Sequence, residues 1–222
     1  MKLVLIRHGQ SIYNLENKFT GWKDVDLTDK GRNEAIKAGD LLKKNQFLFD
    51  YAYTSDLKRA QETLSIILDR LDSNLIPVYD EALNERDYGD LIGRNKADAA
   101  KEFGEDQVQI WRRSYDLPPP GGESLKMTCD RVLPYFEKIF NQVLNNNNII
   151  ISAHGNSIRA IVKKIFNYSS ELILKTEIGW CEPWVFKFNK DGTIEDFEIL
   201  KIDRVTNSNV PEIPILKADT GE

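Results

Sequence analysis

Histidine, cysteine and methionine are almost absent from this chain, with two of each in 222 residues. Two cysteines, Cys129 and Cys181, cannot build a disulfide framework and read as buried or half-buried thiols. Two histidines in different segments and two unpaired cysteines offer no spacing that would hold zinc, so no metal is expected. No apolar run is long enough for a membrane-spanning helix. Positive charge is not in excess either. The net charge is −5, which argues against nucleic acid or an anionic membrane as the main partner. A phosphate-cradling P-loop is missing. Internal repeats are missing too, and the one biased stretch is the asparagine run 145–148. The N-terminus enters an apolar strand directly, unlike a secretion signal. With so little cysteine, the expected compartment is the cytoplasm.

What is present is sharply placed. Hydrophobic residues make up 41% of the chain, enough for a full core without staples. Lys2-Leu3-Val4-Leu5-Ile6 reads as a buried strand that stops at Arg7-His8-Gly9. Ile149-Ile150-Ile151-Ser152-Ala153 does the same and stops at His154-Gly155-Asn156. In open α/β sheets, ligands bind beyond the carboxyl ends of strands. A lone histidine is ordinarily a packed or surface side chain. Here both histidines of the chain stand at a strand end before glycine, and that points to a shared site.

Between and after these strands the chain alternates strand and helix. A polar loop spans Gln10 to Asp26. A helix follows with Thr28 as N-cap and apolar residues Ala35, Ile36, Ala38, Leu41 and Leu42. Residues 50–54 read as a short strand, and a helix starting at 55–60 carries Arg59 in its first turn, where the helix dipole favours a phosphate. Residues 75–78 make a weak strand. Two short helices cover 96–103 and 107–112. Pro118-Pro119-Pro120-Gly121-Gly122 breaks the chain, and a long helix runs from Glu123 to about Leu144. After the second His-bearing strand come helices at 156–166 and 171–175, then a hairpin of 184–188 and 195–202. The pattern predicts a three-layer α/β/α sandwich with a mostly parallel central sheet. One catalytic domain is expected over 1–205, with a tail over 206–222.

The polar groups outside periodic positions are Arg7, His8, Arg59, Glu85, Arg112, Arg113 and His154. They make a cationic cluster with two imidazoles and one carboxylate in an acidic protein. Neutral imidazole, with an ordinary pKa of about 6.5, is a nucleophile at neutral pH. Phosphoryl transfer needs positioning and charge stabilisation, which several arginines supply without magnesium. The residues therefore point to metal-independent phosphoryl transfer through a phosphohistidine.

Leu5-Ile6-Arg7-His8-Gly9-Gln10-Ser11 resembles the signature of the histidine phosphatase superfamily. Phe19-Thr20-Gly21-Trp22, Tyr53-Thr54-Ser55-Asp56-Leu57-Lys58-Arg59-Ala60, Leu83-Asn84-Glu85-Arg86, Trp111-Arg112-Arg113 and Ala153-His154-Gly155-Asn156-Ser157 narrow it. Together, in order, over residues 2 to 203, they resemble the 2,3-bisphosphoglycerate-dependent phosphoglycerate mutases. That resemblance implies a phosphoglycerate mutase-like fold and a phosphoglycerate substrate. It implies that His8 carries the phosphoryl group, that His154 stabilises its charge, and that Arg7 and Arg59 clamp it. Glu85 would be the general acid and base. Asn14, Thr20, Gly21, Arg86, Tyr88, Lys96, Arg112, Arg113, Gly155 and Asn156 match substrate-binding positions. The implied priming donor is 2,3-bisphosphoglycerate, the implied assembly a homodimer, and the implied role of the tail a lid over the entrance.

Three departures from the family stand out. Gly121-Gly122 closes a gap where many relatives carry a longer insertion. Asp87 stands where a histidine is usual after Glu-Arg. Ile178-Gly179-Trp180-Cys181-Glu182-Pro183 replaces a Pro-Thr-Gly sequence. The main rival is a metal-independent phosphatase of the same superfamily acting on a small phosphomonoester. It would share Arg7, His8, Arg59, Glu85 and His154 without needing Thr20-Gly21-Trp22 or Arg112-Arg113. A non-catalytic phospho-ligand binder would be expected to lack His8 or Glu85.

Overall fold

The central strands explain the layering. In β1 (Lys2–Arg7), Leu3 and Leu5 enter one apolar cluster, while Val4 and Ile6 enter another. A strand whose alternate residues are all apolar and all buried needs cover on both faces, as parallel sheets do. The computed structural model describes residues 1–202 and 208–211. Helices α1 (Ile12–Leu15) and α2 (Asp29–Lys44) follow β1, then β2 (Tyr51–Thr54), α3 (Lys58–Arg70) and β3 (Val78–Tyr79). Next come α4 (Lys96–Phe103), α5 (Glu105–Arg113), α6 (Leu125–Leu144) and β4 (Ile149–Ala153). The last elements are α7 (Gly155–Phe166), α8 (Ser170–Lys175), β5 (Trp184–Phe188) and β6 (Ile194–Ile199).

Among the described residues these strands form one sheet in the order β3-β2-β4-β1-β5-β6, with only the β5 pairings antiparallel. Helices α2 and α3 cover the face of Val4, Ile6 and Ile150 through Ala35, Ala38, Leu42, Leu64 and Ile67. Helices α6 and α7 cover the face of Leu3, Leu5, Ile149 and Ile151 through Val132, Phe136, Ile139, Ile158 and Ile161. The expected three-layer sandwich is thus the observed one.

Helix starts follow their caps. Thr28 accepts from the Gly31 N–H, and Ser124 from the Met127 N–H, which places the start of α6 at Leu125 rather than Glu123. Elsewhere the sequence reading needs adjustment. The loop after β1 contains α1, capped reciprocally by Ser11 and Asn14. Strand β3 is only two residues long, and β6 spans 194–199 instead of 195–202. Much of the lid expected over 206–222 lies outside the described residues. Of its described part, Asn209 exchanges two backbone hydrogen bonds with Glu177, of 2.9 and 3.0 Å.

Sheet topology sets the position of the two histidines. β1 and β4 are central neighbours, and Arg7 pairs with Ala153 at their carboxyl ends. His8 and His154 are the next residue on each strand. From there the chain turns toward α2 on one face and toward α7 on the other. This is a switch point of the kind where α/β proteins bind ligands.

Candidate active site

Two buried imidazoles lie side by side at the strand ends. His8 is 2% exposed and His154 fully buried, with ring centroids 5.0 Å apart. The His8 Nδ1 lies 2.6 Å from the Gly9 carbonyl oxygen. A carbonyl only accepts, so Nδ1 carries the hydrogen and Nε2 keeps its lone pair. That lone pair accepts from the Arg59 Nε at 3.3 Å. His154 Nε2 shares a 2.7 Å hydrogen bond with the Ser55 hydroxyl. Burial, then the Arg59 and Arg7 charges, holds the His8 pKa well below 6.5. Burial, followed by Arg59, His8 and Arg7, does the same to His154. Both rings are therefore neutral at neutral pH.

Two arginines stand against these rings. Arg59 is 1% exposed, and its guanidinium donates to the carbonyls of Lys23 (3.0 Å) and Gly21 (2.9 Å). Burial lowers its pKa to about 10, which leaves it cationic. Arg7 donates to the Ile178 carbonyl at 2.9 Å and packs on the Trp180 ring, and its buried Nε has no hydrogen-bond partner among the described residues. Burial lowers its pKa also. Two cations beside two imidazoles suit a multiply charged oxyanion.

The loop bearing these groups is packed tightly. Gly9 N–H donates to the Thr63 hydroxyl (3.1 Å), and Gln10 N–H to Glu34 (2.9 Å). A Cβ on Gly9 would lie 2.3 Å from the Gly31 carbonyl oxygen, so only glycine allows α2 to approach this closely.

Glu85 supplies the carboxylate. Its Oε1 accepts the N–H of Arg86 (2.8 Å) and of Asn156 (3.0 Å), the latter at the start of α7. Among the described residues nothing bonds Oε2. Glu85 lines a pocket with a volume of about 150 Å³. Its lining includes Arg7, Glu85 and the expected Asn14, Thr20, Gly21, Tyr88, Lys96, Arg112, Arg113, Gly155 and Asn156, whereas the buried His8, Arg59 and His154 are not part of it. Burial lowers the Lys96 pKa. Burial raises the Tyr88 phenol, but the cations of Arg86 and Lys96 outweigh it and leave its pKa lowered.

Arg86 is not in this lining. It is 1% exposed, donates to the carbonyls of Trp111 (3.1 Å) and Arg112 (3.3 Å), and packs on Tyr88. It braces the end of α5, which carries Arg112 and Arg113, rather than facing the pocket. Three further residues line the pocket that the sequence reading did not single out: Lys18, Arg159 and Glu177. Glu177 bridges Arg113 and Arg159 at 2.8 Å each. Arg159 lies three residues after Asn156 on α7 and donates to its side-chain oxygen at 3.3 Å, so helical spacing was the available signal. Lys18 adjoins Phe19-Thr20, and Glu177 adjoins the aberrant 178–183 segment.

The sequence profile of the histidine phosphatase superfamily (branch 1) matches residues 3–198. A protein from Afipia carboxidovorans named 2,3-bisphosphoglycerate-dependent phosphoglycerate mutase is 54% identical, covering 87% of this chain and 94% of that one. One of the same name from Parvibaculum lavamentivorans is 52% identical, covering 89% and 95%. The chain belongs to the 2,3-bisphosphoglycerate-dependent phosphoglycerate mutase family. Solved structures share this mutase fold at lower identity. A mycobacterial glucosyl-3-phosphoglycerate phosphatase superimposes with a TM-score of 0.77 at 24% identity, covering 94% of this chain and 99% of that one. The alpha-ribazole phosphatase from Shigella flexneri gives 0.77 at 24%, covering 90% and 96%.

The departures from the mutase pattern now have places. Asp87 does not enter the pocket lining; its carboxylate accepts the Gly89 N–H at 2.9 Å and forms a turn. Residues 118–122 pack on that turn, with Pro120 accepting from Asp90 at 2.9 Å. Segment 178–183 touches Arg7: its Trp180 ring stacks on the guanidinium, and the Cys181 N–H donates to the Arg7 carbonyl at 2.9 Å. No helix among the described residues is long and apolar enough to cross a membrane. Nor do these residues contain a group of three or more His, Cys, Asp or Glu placed to hold a metal ion.

Proposed function

We propose that this chain interconverts 3-phosphoglycerate and 2-phosphoglycerate, with His8 as the phosphoryl carrier. The observation that carries this reading is the tautomer of His8, a neutral ring with Nδ1–H on Gly9 and an Nε2 lone pair beside Arg59. His8 Nε2 bonds to phosphorus as the bond from phosphorus to the glycerate oxygen breaks. The electron pair stays on that oxygen, which takes a proton from Glu85. In the return step Glu85 takes the proton from the attacking hydroxyl. Arg7, Arg59 and His154 hold the charge of the phosphoryl group in transit. Arg112, Arg113 and Lys96, with Asn14, Thr20, Gly21, Tyr88, Gly155 and Asn156, hold the remainder of the substrate. Arg86 acts beneath them.

The cation-rich lining, Arg7 included, fits 2,3-bisphosphoglycerate, which supplies the phosphoryl group that charges His8. The same reading takes residues 1–205 as one catalytic unit, the tail as a lid, and the cytoplasm as the compartment. It also takes the protein as a homodimer, to which edge strand β3 is suited. Its Val78 and Tyr79 are exposed beside a highly exposed Ile76.

The test is conversion of 3-phosphoglycerate in EDTA, with and without 2,3-bisphosphoglycerate, beside His8→Ala. Conversion that depends on the bisphosphate, resists the chelator and vanishes in the variant is expected. Release of inorganic phosphate without the isomer would make the chain a phosphatase instead.

A further inference from the structure

The carboxylate given the proton-transfer role sits on a stretch with little regular structure, yet its backbone is gripped from two sides. Arg131, on α6, donates through Nη1 to the carbonyls of Glu81 (3.0 Å), Ala82 (3.0 Å) and Asn84 (3.3 Å). Through Nη2 it donates to the carbonyl of Glu85 itself at 3.3 Å. Its remaining bonds run to the Glu123 carboxylate, at 2.9 and 2.8 Å. Glu123 in turn accepts the Asp87 N–H at 3.0 Å. The Trp22 indole N–H donates to the same Glu85 carbonyl at 2.6 Å, and its ring stacks on the Arg131 guanidinium.

Neither Arg131 nor Trp22 lines the pocket. Both reach Glu85 only through its backbone. The side chain of Glu85 is anchored by its neighbour's N–H and by that of Asn156. A shift of the 81–85 loop therefore moves Oε2 relative to His8, while Arg7, Arg59 and His154 lie on other elements; Trp22 stands between Gly21 and Lys23, whose carbonyls hold Arg59, so Arg131 is the cleaner probe. A planar guanidinium fork can serve four carbonyls and a carboxylate at once; an ammonium cannot.

We propose that Arg131 and Trp22 are positioning residues that hold Glu85 in register for proton transfer to the leaving oxygen. This rests on the mutase reading, in which Glu85 is the acid. The distinguishing measurement is the rate of His8 phosphorylation in a single turnover, with two donors. With 2,3-bisphosphoglycerate, the departing glycerate oxygen needs a proton. With acetyl phosphate, acetate departs as a stable anion and needs none.

Misplacing an acid that contributes on the order of 10²–10⁴ in rate is expected to slow Arg131→Met roughly tenfold or more with the bisphosphate. The rate with acetyl phosphate is expected to stay near wild type, and Arg131→Lys to restore only part of the loss. Trp22→Phe, which removes one hydrogen bond and keeps a ring, should show the same selectivity at smaller size. Vanadate affinity, read alongside, reports an intact phosphoryl cradle. Equal slowing with both donors, or slowing with neither, would overturn the proposal. Glu85→Gln is the reference. If it shows no donor selectivity, the acid role of Glu85 fails; if it does while the Arg131 and Trp22 variants do not, the positioning role fails.

Discussion

Glu177 shows how much one side chain sets the charge of the pocket. Its carboxylate sits between Arg113 and Arg159 and is about two-fifths exposed. It therefore competes with an incoming anion for the same guanidinium groups. Glu177→Gln is expected to bind inorganic phosphate more tightly, by up to about fivefold, given the 0.2–1 kcal/mol typical of exposed pairs. The gain should shrink as salt is added. Measuring phosphate as a competitive inhibitor checks this, and weaker binding in the variant would mean that Glu177 chiefly positions Arg113. Sequence reading missed Glu177 because a single acidic residue near an irregular segment carries no periodic or motif signal. Arg86 differs: the resemblance implied a substrate-binding position, and its guanidinium turns under α5 to the carbonyls of Trp111 and Arg112.

At the scale of elements, the loop from β1 to α2 carries His8, and its shape depends on a close approach. Gly9 and Gly31 meet with no room for a Cβ on either. Gly9→Ala is expected to push α2 off the loop or shift His8, with activity lost by far more than the melting temperature falls. Comparing kcat with thermal unfolding checks this; an active variant would mean that the loop tolerates displacement. The helical faces of α2, α3, α6 and α7 were legible because amphipathic periodicity survives in any surface helix. Strand β3 was weaker in sequence and is short in the structure, where its two residues are exposed at the sheet edge. Helix α1 was missed because its four residues are too few for periodicity and owe their form to the Ser11–Asn14 cap.

The whole molecule keeps two histidines uncharged in its interior, and this links stability to pH. In the unfolded chain each takes up a proton as pH falls through 6.5; in the folded protein both pKa values lie well below that. Unfolding then takes up protons, so stability falls as pH drops below 6.5, until the folded values are reached. Each histidine contributes at most about 1.4 kcal/mol per pH unit. Urea unfolding between pH 7.5 and 5.5 is expected to show this slope, reduced in a His8→Asn, His154→Asn double variant; an unchanged slope would refute it. By itself, the sequence determined the layered α/β plan and the two His–Gly strand ends, because those rest on local periodicity and on residues adjacent in the chain. Only the tertiary structure decided the His8 tautomer, the neutral state of both rings, the bridge of Glu177 to two arginines and the grip of Arg131 on the Glu85 loop. Each of these depends on burial, or on contacts between segments far apart in sequence, which no local pattern encodes.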